Sequence, residues 1–172
     1  MLTETLAPLA QTLLPELTDE LQTTRRVLAR VPEAQFNWQP HPKSMTLGVL
    51  VSHLTDLMGG IENTLQTTSM DVAQFEPEAD ELTTTQQLLD RLDTHGAAAQ
   101  ATIAAASPSD FEQLWSLCSG EQVLLRQTRA EIIRHLISHA VHHRGQLSVY
   151  LRLLDIPVPA IYGGSADEAP KR

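Results

Sequence analysis

The sequence predicts an all-α protein, a four-helix bundle formed by a single domain over residues 1–172. Three observations lead there. Four long segments repeat apolar residues at the three- and four-residue spacing of one helix face. The composition is aliphatic and helix-forming: Leu, Ala, Thr and Gln are plentiful, and aromatics make up only 4% of the chain. Threonine-led capping boxes open two of the four segments. Helices that each carry one apolar stripe bury those stripes by packing as a bundle, and 172 residues suffice to enclose a core.

The first helix is expected over residues 2–30, with Leu13, Leu17, Leu21 and Leu28 near one face. Pro15 either kinks it or marks a late start. Val31 to Ser44 is a proline-punctuated loop, and Ser44 reads as the N-cap of a second helix over residues 45–67. A polar loop then runs through Pro77. The third helix starts at Thr83, which makes a capping box with Gln86, and ends near Ala106. Phe111 to Thr128 lack helical periodicity and read as two short extended pieces around a Ser119-Gly120 turn. Thr128 and Glu131 form the second capping box. The last helix continues to about Leu154, before Pro157 and Pro159 end it. Residues 155–172 form an irregular tail.

Charge and composition exclude several classes. The net charge of −9 and the scarcity of Lys argue against a nucleic-acid partner, which needs clustered cations. A single cysteine, Cys118, leaves no internal disulfide and reads as a buried structural thiol. The N-terminal stretch lacks the basic start of a signal peptide. No run of about 18 apolar residues is present, so no membrane span is expected. A cytoplasmic location follows as the default.

Histidine carries the chemical signal. Four of the seven histidines lie between His135 and His143. With His139 as the zero of a helical wheel, His135 falls at about −40°, His142 at about −60° and His143 at about +40°. Gln146 and Tyr150 lie inside the same arc, and Arg144 and Arg152 point away from it. The arc overlaps the apolar stripe of Ile132, Leu136 and Leu147, so the cluster borders the core. Pairs at i, i+4 place two imidazoles on one side of a helix, where they can chelate one cation. His135 with His139 and His139 with His143 both satisfy this spacing; His139 with His142, three apart, is also feasible, and spacing alone does not choose. The H-E-x-x-H pattern of a metalloprotease is not met: Ala140 stands where its glutamate would.

His53 is the candidate third ligand. It lies in the apolar stripe of the second helix beside Leu50, Leu57 and Ile61. Three histidines leave a coordination position open, the pattern of a catalytic metal site. Zn²⁺ and Ni²⁺ suit imidazole best, with Fe²⁺, Mn²⁺ and Cu²⁺ as alternatives. His41 and His95 read as surface residues.

The segment "HLISHAVHHRGQLSVYLRLLDIPVPAIY", with its H-x3-H-R-G-Q core, resembles the C-terminal signature of the DinB/YfiT-like superfamily. "SMTLGVLVSHLTDL" resembles that family's second-helix signature, and "PAIYGGSADE" is similar to a common ending. The resemblance implies an up-down-down-up bundle, often dimeric, and a divalent metal held by His53, His139 and His143. His135 and His142 then become pocket residues around the ligands. Characterised relatives include isomerases and S-transferases that use mycothiol or bacillithiol.

Three readings follow. The first is a metal-dependent enzyme acting on a small molecule, a low-molecular-weight-thiol S-transferase, with Gln146 or Tyr150 orienting the bound species. The second is a stress-response protein that binds metal without catalysis. The third is a metal-dependent hydrolase with His135 or His142 as general base.

Overall fold

The computed structural model describes residues 6–74 and 82–169. Residues 2–5 of the first expected helix, 75–77 of the polar loop and 170–172 of the tail lie outside them. The described chain is mainly helical. In order it forms α1 (Pro8–Leu28), α2 (Leu47–Gln66), β1 (Ser69–Asp71), α3 (Thr85–Ala105), α4 (Pro108–Glu112), β2 (Leu114–Ser119), β3 (Gln122–Thr128) and α5 (Arg129–Leu153).

Local signals explain most boundaries. Proline at the first position starts α1, where its fixed φ fits and its missing N–H costs nothing. The helix then runs through Pro15, so that proline marks no late start. Thr46, not Ser44, caps α2 by accepting from Val49 N–H. Backbone bonds from Leu47 N to Trp38 O and Gly48 N to Phe36 O tie the loop to the helix and move its start by two residues. The α3 box uses Thr84 and Gln87 rather than Thr83 and Gln86. Thr85 sets this frame, because its hydroxyl donates to Val31 O and its N–H to Glu33 Oε1. Thr128 and Glu131 cap α5 as expected.

Four long helices make the bundle. Each of α1 and α2 packs between α3 and α5. Inter-helix contacts give the directions. Arg25 meets Asp93 and Thr18 meets Gln100, so α1 and α3 are antiparallel. Asp56 meets Arg91 and Gly59 meets His95, so α2 and α3 run together. Tyr150 reaches Met45 while His143 reaches His53, so α2 and α5 oppose each other. The result is up-down-down-up. Leu13, Leu17, Leu54, Leu88, Ile133 and Leu147 are fully buried along its axis. Each such side chain contributes roughly 1.5–3 kcal/mol through loss of apolar contact with water.

The predicted extended pieces are a β2–β3 hairpin, turned at Gly120 with φ 58. Its register shifts between Leu117 and Cys118, and Cys118 is half-buried there rather than fully buried. A third strand, β1, pairs in parallel with β2 and had no signature in the sequence. Trp115 Nε1 and the buried Arg129 both donate to Thr67 at the end of α2, holding the sheet against the bundle. The described part of the tail, residues 155–169, is irregular but tied down: Ser165, Asp167 and Glu168 bond back to Val158 and Ala160. No helix among the described residues is long and apolar enough to cross a membrane.

Candidate metal centre

The site lies where α2 and α5 face each other. Their antiparallel packing puts His53, two turns into α2, opposite the middle of α5. One ligand nitrogen from each of His53, His139 and His143 falls within 4.8 Å of the others. Ring centroids stand 5.2 Å apart for His53–His139, 4.8 Å for His53–His143 and 4.6 Å for His139–His143. His143 is buried, and the other two are half-buried. These three residues, on two elements, could hold a metal ion.

The hydrogen bonds fix the chemistry of the pair on α5. His143 Nδ1 lies 2.7 Å from Gln146 Oε1. A carbonyl oxygen only accepts, so His143 carries its proton on Nδ1 and offers a lone pair at Nε2. His139 Nε2 is 2.8 Å from that Nε2 and donates to it. One proton therefore occupies the space between two potential ligand atoms, and a cation would take its place. Gln146 fixes the ring nitrogen that faces the site, as outer partners of ligating histidines do.

Electrostatics favour the neutral form of His139 and His53, the form that ligates metal. Burial lowers the His139 pKa to about 4, with further depression from His143, His53, His135 and His142. Burial, then His143, also lowers His53, against an opposing pull from Asp56. Three imidazoles, one already oriented, make a donor set that could hold a metal ion.

The remaining predicted residues separate. His135 and His142 are exposed at the rim, with ring centroids 5.7 Å from His139 and 5.1 Å from His143 respectively. Tyr150 is turned to other work: its ring packs edge-on against Trp38 at 5.5 Å and its hydroxyl donates to Met45 O. His41 is exposed. His95 is not a surface residue; it is half-buried between α3 and α2, with Nδ1 3.1 Å from Thr55 O and its ring against Gly59. Arg144 does point away from the histidines, but into α1, where it is 1% exposed. A wheel places its direction; it gives no sign that a charged side chain would be buried there.

The comparisons agree with this architecture. The model of the DinB family matches residues 1–172. A DinB-like protein from Bacillus subtilis has 17% identity and a TM-score of 0.65, over 85% of this chain and 96% of its own. A DinB-like protein from Bacillus cereus has 20% identity and a TM-score of 0.66, over 84% and 92%. A candidate DinB family member from Exiguobacterium sibiricum has 20% identity and a TM-score of 0.66, over 88% and 95%. At these identities the likeness shows the fold. No curated protein matches the sequence.

Proposed function

The chain belongs to the DinB family, and from that premise we propose that it binds one divalent metal through His53, His139 and His143 and acts as a metal-dependent S-transferase for a low-molecular-weight thiol. The observation that carries the reading is the convergence of three ligand nitrogens from two helices within 4.8 Å, one ring already fixed by Gln146. A divalent ion held there would lower the pKa of a bound thiol and hold its thiolate.

The chain's own residues supply the rest. Burial keeps His139 and His53 neutral, so their lone pairs are available near pH 7. Gln146 holds the His143 proton on Nδ1, away from the ligand face. His135 and His142 stand at the solvent edge, where an imidazole can pass protons to or from an arriving thiol. The same family resemblance carries the expectation of a homodimer and of a small electrophile as the second substrate.

Metal analysis of the purified chain should find about one divalent ion per chain, as expected for a mononuclear site. His53→Ala and His143→Ala should each lose tight binding, and His41→Ala should keep it. Assays with glutathione, mycothiol and bacillithiol against a panel of electrophiles should show metal-dependent turnover with at least one thiol. A chain that binds no ion ends the site reading. Full metal binding with a large melting shift, but no turnover with any thiol, replaces the enzyme with a non-catalytic metal protein.

A further inference from the structure

The direction in which His139 and His143 point depends on how α5 is turned about its own axis. A rotation of about 10° moves a group at a radius of about 6 Å by roughly 1 Å. That is twice the ~0.5 Å tolerance of a preorganised site. One buried node opposes such a rotation. Arg144 follows His143 directly and enters the α1 face. Its Nη1 lies 2.6 Å from Glu20 Oε2 and donates to Thr24 Oγ1 at 3.1 Å and Glu20 O at 3.2 Å. Its Nη2 donates to the Tyr162 hydroxyl at 2.7 Å, which in turn donates to Glu20 Oε1 at 2.8 Å.

The surroundings give this node its weight. α5 packs far more lightly on α1 than on α2. The other α1–α5 ion pair among the described residues, Arg134–Glu16, is 3.6 Å long and exposed; pairs of that kind contribute little. A planar guanidinium bonded on both arms fixes direction as well as distance, which a lysine ammonium does not. Tyr162 brings in the tail. The residue is 71% exposed, yet its hydroxyl closes the Arg144–Glu20 circuit.

We propose that Arg144, gripped by Glu20, Thr24 and Tyr162, is a positioning residue for the metal centre, locking the turn of α5 that aims His139 and His143 at His53. The inference rests on the three-histidine reading of the site.

The test compares Arg144→Met, Arg144→Lys and Tyr162→Phe with the wild-type chain. Folding is checked by circular dichroism. Two quantities are read: Zn²⁺ affinity by chelator competition, and the proton–proton NMR contacts between the His53 and His143 rings in metal-free protein. Arg144→Met should weaken Zn²⁺ binding roughly 10–100-fold, the usual effect of losing support for a ligand. Arg144→Lys should recover part of the loss, and Tyr162→Phe should weaken binding less. The wild-type rings should show a strong contact, since their centroids stand 4.8 Å apart, and the three variants weaker ones in the order of their lost affinity. A folded Arg144→Met with wild-type affinity and a wild-type contact between the His53 and His143 rings, changed only in melting temperature, overturns the proposal. If Arg144→Met does not fold, Tyr162→Phe, which removes only a hydroxyl from an exposed residue, decides by the same two readouts. If the wild-type chain binds no Zn²⁺, the metal reading fails by itself, and the His53–His143 ring contact of the metal-free chain still decides this one.

Discussion

At the scale of single residues, Gln146 shows how a modest side chain can govern a site. It is exposed and lies one turn beyond His143, and its Oε1 is the acceptor that settles which nitrogen of His143 carries the proton. Removing that acceptor frees the ring to rotate or to change tautomer. Gln146→Ala should therefore raise the Zn²⁺ dissociation constant about 10–100-fold. Gln146→Glu, which keeps an acceptor in place, should stay near wild type. Chelator competition at pH 7 checks both; equal affinity for Gln146→Ala and wild type would show that the hydrogen bond is incidental. The sequence put Gln146 in the histidine arc but left its task open between orienting a bound species and packing. For Tyr150 it favoured packing, and the position of Met45 O shows that the tyrosine hydroxyl is engaged as well. Periodicity reports the side of a helix on which a residue lies. Which atom it meets depends on the neighbouring element, whose distance and tilt leave no trace in spacing.

At the scale of elements, the same limit appears at helix starts. The stretch Thr83-Thr84-Thr85-Gln86-Gln87 contains two Thr-x-x-Gln frames one residue apart, and local propensity treats them alike. Contacts of Thr85 with Val31 and Glu33 select the second. Thr84→Ala should therefore destabilise the protein by about 1 kcal/mol through loss of the cap. Thr83→Ala, which gives up a weaker 3.3 Å contact to Gln87 Oε1, should cost less than about 0.5 kcal/mol. Urea denaturation of the two variants distinguishes the frames, and a larger loss from Thr83→Ala would reverse the assignment. The four long helices were legible because each carries a long apolar stripe and an end signal. The strand β1 was not: three residues, Ser69–Asp71, contain no period to read, and their partner β2 lies far along the chain.

At the scale of the whole molecule, the buried histidines link folding to pH. The His139 pKa is about 4 in the folded chain against an ordinary 6.5, so the folded state binds fewer protons than the unfolded state between those values. The stabilisation from keeping this ring neutral is complete above pH 6.5 and is lost progressively as pH falls toward about 4. His53 shifts in the same direction and adds to the effect. Carboxylates held low by hydrogen bonds, such as Asp110 and Glu131, act in a different window, because their ordinary values are 3.8 and 4.5 and the folded values lie lower still. The interval from pH 6.5 down to about 5 therefore belongs chiefly to the histidines. In chelator, the wild-type melting temperature should fall across that interval, and His139→Gln, which has no ring to protonate, should fall less steeply. Saturating Zn²⁺ at pH 7.5 should raise the wild-type melting point, since a ligand at 100 times its dissociation constant adds about 2.7 kcal/mol. That corresponds to roughly 5–10 °C for a chain of this size. The gain should shrink on acidification, because protons and metal compete for the same lone pairs. Parallel melting curves for wild type and His139→Gln between pH 6.5 and 5 would mean that the packing of α2 against α5 does not control the charge of the cluster.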